Sequence, residues 1–164
     1  MRKMSLLVLS GAFLGLVTSA LGADKISTVL LRDTIEGNLA VIQMGQLAQA
    51  KAQSDEVKSF AELVMVDHLV SNEQAQEAAK QIGMAVPTKP STSQQLRYER
   101  MSRLSDKALD RAFVVEMITF YKTIIPRFKN EAKKKNDPVA AFGSETLPTF
   151  EKHLDAAKKL QSRI

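Results

Sequence analysis

Apolar residues recur every three to four positions through four long segments of this 164-residue chain. That spacing places the apolar side chains of each segment on one face of an α-helix. No stretch alternates apolar and polar residues as a half-buried strand does. Helices of this kind bury their apolar faces by packing against one another. The pattern therefore predicts an all-α protein.

Capping residues and prolines mark the ends of these helices. We predict long helices over residues 25–52, 54–83, 106–135 and from 137 to near the C-terminus, with a shorter helix over 94–103. Ser54 and Asp137 are the predicted N-caps of the second and fourth long helices. Pro138 follows at the first helical position, where a missing N–H is not needed. Pro87 and Pro90 break the chain between the second and third long helices.

Two tight connections and one long, partly helical connection favour a ferritin-like four-helix bundle over residues 24–164. In that arrangement the long connection crosses the bundle between the second and third long helices. An up-down-up-down bundle with a decorated middle loop is the alternative. Pro126 and Pro148 lie inside the third and fourth long helices, and we expect each to bend its helix.

Residues 1–23 have the layout of a secretory signal peptide. Arg2 and Lys3 come first, an apolar run follows at residues 6–17, and small residues come after it. We expect cleavage near residues 20–23 and a mature protein in the periplasm of a bacterium. The run is shorter than the ~20 residues that span a bilayer, so we expect no transmembrane anchor in the mature chain. The chain has no cysteine and thus no disulfide framework.

The charge of the chain argues against nucleic acid as a partner. Loss of Arg2 and Lys3 lowers the formal net charge from +5 to +3, which is a mild excess. The densest positive cluster is Lys133, Lys134 and Lys135, which complements the dipole at the end of a helix. Weak contact with an anionic envelope surface is the alternative role for this cluster.

The two histidines, His68 and His153, each lie at the centre of an apolar helical stripe. Imidazole titrates near neutral pH and is a common metal ligand, so these residues are the main chemical lead. Glu36 is the one carboxylate that the spacing places inward, and Tyr121 belongs to the apolar face of the third long helix. Asp67 precedes His68 and either orients it or lies at the surface.

Two interpretations of these residues stay open. In the first, Glu36, His68 and His153, with Tyr121 as a weaker ligand, hold one divalent transition metal ion. A ferritin-type di-iron centre is disfavoured because neither histidine belongs to a Glu-x-x-His motif. In the second, the same four side chains form a buried polar network and fix the register of the helices.

Several segments resemble the bacterial ferritin-like family called domain of unknown function 4142. The sequences SDEVKSFA at 54–61 and MVDH at 65–68 are similar to its second helix, and LPTFEKHL at 147–154 is similar to its last helix. DRAF at 110–113 is compatible with its third helix. The resemblance covers nearly all of the mature chain and implies an exported four-helix bundle with little established biochemistry. It also implies a third histidine in the third helix, where this chain has Tyr121.

No catalytic motif accompanies these features. The chain has no cysteine, no Gly-x-Ser-x-Gly turn and no glycine-rich phosphate loop. We therefore expect a non-catalytic structural or interaction module of the cell envelope, involved in stress tolerance or assembly. Its partner would be an unknown protein or a second copy of the chain. A periplasmic metal-binding protein is the alternative.

Overall fold

Five α-helices and no strand make up the part of the chain that the computed structural model describes, residues 24–134 and 137–164. The helices are α1 (Lys25–Lys51), α2 (Asp55–Gln81), α3 (Thr92–Ser102), α4 (Asp106–Glu131) and α5 (Pro138–Gln161). The all-α prediction is confirmed. The predicted signal peptide, residues 1–23, and Lys135 lie outside the described residues.

The helices begin at the capping residues that the sequence marks. The side chains of Ser54 and Asp137 each accept a backbone N–H from the first turn of α2 and α5. Pro138 is the first residue of α5. Ser91 and Gln94 form a reciprocal capping box at the start of α3. These bonds satisfy N–H groups that have no partner within the helix.

Ion pairs between distant residues show how the long helices run. Asp33 near the start of α1 lies 2.8 Å from Arg127 near the end of α4, so these helices are antiparallel. Glu56 at the start of α2 pairs with Arg163 beyond the end of α5, at 3.5 Å. Because α1 and α2 form one antiparallel hairpin and α4 and α5 another, α2 and α4 run parallel. The connection that holds α3 therefore crosses the length of the bundle.

The core lies between the long helices and is formed by their apolar stripes. Its largest fully buried side chains include Leu30, Leu31, Ile35, Leu109, Phe113, Met117, Tyr121, Phe128 and Phe150. Each such side chain stabilises the fold by roughly 1.5–3 kcal/mol. Most exposed residues of the long helices are polar, but α2 exposes several large apolar side chains. No helix in the described ranges is apolar along the length that a bilayer crossing requires. Pro126 and Pro148 lie inside α4 and α5, on the exposed side of each helix.

Two carboxylates are buried at the ends of the bundle, and neither is Glu36. Asp110, in the first turns of α4, accepts the backbone N–H groups of Gln53 and Ser54 at 2.9 and 3.0 Å. It thereby fixes the α1–α2 connection against α4. The prediction that Glu36 is the one inward-facing carboxylate is wrong, because its side chain is only half-buried, whereas those of Asp110 and Glu131 are buried.

The second buried carboxylate, Glu131, closes the opposite end. It accepts a hydrogen bond from the Ser27 hydroxyl and lies 2.9 Å from Lys134 Nζ. Lys134 also lies 2.7 Å from Asp24 Oδ2, and this hydrogen bond lowers the pKa of Asp24 to about 2. α4 ends at Glu131, before the predicted end at residue 135. Lys134 is bound by Asp24 and Glu131 of its own chain.

Candidate functional site

A continuous chain of hydrogen bonds crosses the core and joins all four long helices. Its members, in order, are Asn38 of α1, His68 of α2, Tyr121 of α4, His153 of α5 and Asp67 of α2. His68 Nδ1 lies 2.8 Å from Asn38 Oδ1, and His68 Nε2 lies 2.9 Å from the Tyr121 hydroxyl. The same hydroxyl lies 3.0 Å from His153 Nδ1, and His153 Nε2 lies 2.8 Å from Asp67 Oδ2. All four imidazole nitrogens are therefore bonded to protein atoms.

These five hydrogen-bonded side chains form a polar chain, and burial determines the charge state of its members. It lowers the pKa of His68 well below its usual value, and the nearby His153 lowers it further. Burial also lowers the pKa of His153, which the hydrogen bond and charge of Asp67 partly offset. The pKa of Tyr121 is raised well above its usual value by burial and by the charge of Asp67. Both imidazoles and the phenol are thus neutral at neutral pH.

Aromatic rings enclose the two imidazoles. Phe150 stacks on His68 with 5.0 Å between ring centroids, and Phe120 meets His68 edge-on at 5.4 Å. Phe60 meets His153 edge-on at 6.5 Å. The polar chain reaches solvent at Asp67, whose side chain is 36% exposed.

The directions of the hydrogen bonds follow from Asp67. An ionised carboxylate only accepts, so His153 Nε2 carries a proton and donates it. In a neutral His153, Nδ1 then accepts from Tyr121, whose oxygen accepts from His68 Nε2. His68 Nδ1 is left as an acceptor and needs a donor. The carboxamide of Asn38 supplies one when its NH₂ end, rather than its oxygen, faces His68.

A second arrangement contains one more proton. A doubly protonated His153 donates to both neighbours, and Tyr121 then donates to His68 Nε2. His68 Nδ1 donates to Asn38 Oδ1, and the Asn38 NH₂ donates to Ser71 Oγ at 3.1 Å. The polar chain thus has two fully bonded states that differ by one proton. The polar chain can therefore take up one proton at His153, beside Asp67, and the directions of its other hydrogen bonds then reverse.

The structure brings together three of the four residues predicted as ligands. His68, Tyr121 and His153 meet, and Asp67 joins them by bonding to His153 rather than to His68. Glu36 does not reach them. It lines a separate groove between α1, α3 and α4.

These residues, as arranged, do not fit a resident metal ion. In the described ranges no three His, Cys, Asp or Glu side chains are grouped so that they could hold one. The Tyr121 hydroxyl occupies the position between His68 Nε2 and His153 Nδ1 that a shared ion would need. A phenol that keeps its proton is a poor metal ligand, and burial raises the pKa of Tyr121. The donor set fits hydrogen bonds within the protein.

Sequence reasoning missed Asn38 and Ser71. Both are buried, and Asn38 shares the apolar stripe of Leu31 and Ile35 on α1. An amide on such a stripe needs a buried partner, which was the available signal. Ser71 lies on α2 one turn beyond His68. A small polar residue on an apolar face also indicates a buried partner, but less strongly than an amide does.

Comparisons with known proteins establish the fold and the family. The structure is similar to the crystal structure of a DUF305 fragment from Deinococcus radiodurans, with a TM-score of 0.75 and 11% sequence identity. The match covers 87% of this chain and 99% of that chain, and at this identity it shows the fold alone. No curated protein matches the sequence. The family model described as a domain of unknown function (DUF4142) matches residues 17–160, so the chain belongs to the DUF4142 family.

Proposed function

We propose that this protein is a non-catalytic structural or interaction module of the cell envelope, exported to the periplasm and built as a ferritin-like bundle. The ferritin-like class is supported by two features: α2 and α4 run parallel, and the connection between them crosses the bundle. The signal-peptide layout of residues 1–23 supports export. A role in envelope stress tolerance or assembly is the setting that we propose for it.

The polar chain is the observation that carries this proposal. Asn38, His68, Tyr121 and His153 come from four different helices and satisfy one another's hydrogen-bonding groups. A buried polar group without a partner is costly, so only one register of the four helices is compatible with these bonds. A network whose members are all bonded to protein atoms has a structural role without any ligand.

Interaction through the surface is supported by the outer face of α2. Four large apolar side chains, each about half exposed, lie there within two turns: Leu63, Val66, Leu69 and Val70. Exposed apolar clusters of this kind are typical of protein–protein contact sites. We propose that an unidentified protein or a second copy of the chain binds here. Lys133 is exposed as well, and we propose it as a point of weak contact with an anionic envelope surface.

Elemental analysis separates this proposal from a metal-binding role. The wild-type protein, purified without an affinity tag, is expected to contain no stoichiometric Zn, Cu, Mn or Fe. Adding these ions should raise its melting temperature no more than that of a His68→Ala/His153→Ala variant, because a ligand stabilises only a fold that binds it.

A Glu36→Gln variant serves as the matched control, since it alters a predicted ligand and leaves the polar chain intact. Stoichiometric metal in the wild type that disappears in the double variant would overturn the structural role. If Glu36→Gln lost the metal as well, the ligand set predicted from the sequence would be restored.

A further inference from the structure

A groove between α1, α3 and α4 encloses a cavity of about 390 Å³ that the polar chain does not use. Cavities of roughly 300–1,000 Å³ with an apolar lining and a few polar groups are typical of small-molecule sites. The apolar lining consists of Ala40, Val41, Met44, Met117, Phe120 and Ile124. The charged lining consists of Asp33, Glu36, Arg97, Glu116 and Arg127.

One guanidinium in this groove has an unused donor. Arg127 is paired with Asp33 at 2.8 Å, but Arg97 Nε is out of contact with solvent and has no hydrogen-bond partner in the described part of the chain. Glu116 Oε2 lies 3.8 Å from it, beyond hydrogen-bond distance. Burial raises the pKa of Glu116, and the charge of Arg97 offsets this only in part. A ligand oxygen would satisfy the buried N–H.

One carboxylate in the groove has an unused acceptor. Glu36 is half-buried and makes no hydrogen bond or ion pair with any residue that the structure describes. The groove therefore presents an open donor on α3 and an open carboxylate on α1, with apolar side chains between the helices.

We propose that this groove binds a small zwitterion with an apolar body, namely an apolar amino acid or a short apolar peptide. The ligand carboxylate accepts from Arg97, and its ammonium group donates to Glu36. The apolar side chain packs against Met44 and Phe120. A simple anion or cation satisfies only one of the two open groups. This inference goes beyond the structural role of the bundle and does not depend on it.

Phe120 connects the groove to the polar chain. Its ring packs over Gly37, where any Cβ would collide with it, and meets the His68 ring at 5.4 Å. An occupant of the groove that contacts Phe120 is therefore one ring away from His68. The resonances of Phe120 and of the Met44 and Met117 methyl groups are suitable reporters of binding.

An NMR titration of the purified chain tests the proposal. The probes are L-leucine and L-leucyl-L-leucine, with 4-methylpentanoate as the analogue without an amine and 3-methylbutylamine as the analogue without a carboxylate. We expect saturable shifts at the groove reporters with one of the zwitterions and at least tenfold weaker binding of either analogue. The better zwitterion then distinguishes a free amino acid from a peptide.

Variants assign the binding to the groove. Arg97→Gln and Glu36→Gln are each expected to weaken binding at least tenfold while the melting temperature stays near that of the wild type. Arg100→Gln, an exposed position of α3 that does not line the groove, is expected to leave binding unchanged. The proposal is overturned if neither zwitterion shifts the reporters at millimolar concentration, if an analogue binds as tightly as the zwitterion, or if both groove variants bind like the wild type.

Discussion

Tyr121 solves a local problem of proton placement between two buried imidazoles. Its hydroxyl lies 2.9 Å from His68 Nε2 and 3.0 Å from His153 Nδ1. A hydroxyl donates one hydrogen bond and accepts others, so it can serve as donor to either ring and acceptor from the other. A tyrosine therefore suits both proton arrangements of the polar chain.

Replacing Tyr121 with Phe keeps the ring and removes only this hydroxyl. The variant leaves His68 Nε2 and His153 Nδ1 without their partner, and we expect the free energy of unfolding to fall by about 3 kcal/mol. Tyr98→Phe is the matched control, because this tyrosine is only half-buried, and it should change stability by less than about 0.5 kcal/mol. Urea unfolding of the three proteins measures both effects. Equal stability of Tyr121→Phe and wild type would show that these hydrogen bonds do not support the fold.

The histidines give stability a characteristic pH dependence. Burial holds the pKa of His68 and of His153 below the ordinary value of 6.5. Below that value the unfolded chain binds more protons than the folded protein, so stability is fully present at higher pH and is lost as pH falls toward the folded-state values. Each histidine contributes a slope of at most about 1.4 kcal/mol per pH unit.

Urea unfolding between about pH 7.5 and 5 measures this slope. A His68→Gln/His153→Gln variant should lose less stability over this interval than the wild type, because it has no imidazole to protonate. Identical slopes for the two proteins would contradict the assignment of two buried, neutral histidines.

The residues of the candidate site were predictable to the extent that helical spacing places them on a stripe. This placed His68, Tyr121 and His153 correctly in the core. It failed for Glu36, because α1 packs against α3 as well as against the other long helices. The spacing of residues along one helix indicates that a side chain points away from solvent, but it does not indicate which neighbouring helix that side chain contacts. Asn38, two residues further along α1, faces His68 instead.

At the scale of the helices, predictions succeeded where the deciding contacts are local. Ser54, the Ser91–Gln94 box and Asp137 cap their helices through bonds within three residues. Asp110 was missed because its partners, Gln53 and Ser54, are 57 and 56 residues away in sequence. Nothing in the local pattern of α4 distinguishes this carboxylate from a solvated one in an early helical turn.

Asp110 should therefore matter more than its position near a helix start suggests. Asp110→Ala removes two hydrogen bonds to a buried carboxylate and frees the α1–α2 connection, so we expect a loss of about 3 kcal/mol in unfolding free energy. Asp155→Ala is the matched control: this exposed residue pairs loosely with Lys158 at 3.9 Å, and the expected change is below about 0.5 kcal/mol. Thermal and urea unfolding report both. A loss no larger than that of the control would show that the connection is held by packing alone.

At the scale of the molecule, sequence alone left two arrangements of the same helices open. A partly helical connection of this length serves both a crossing and an up-down-up-down bundle. Contacts such as Asp33 with Arg127, 94 residues apart, decide between them because they require α1 and α4 to be antiparallel. The polar chain then follows, since this arrangement brings His68, Tyr121 and His153 to one place.

We infer that this polar chain is a hydrogen-bonded structural network and not a metal site. Nitrogen-15 NMR of the imidazole side chains, recorded at neutral pH with and without equimolar Zn²⁺, tests it most directly. We expect two neutral rings whose nitrogen shifts correspond to hydrogen bonds with Tyr121 and do not change when Zn²⁺ is added. Coordination shifts at His68 Nε2 and His153 Nδ1 on adding Zn²⁺ would contradict it.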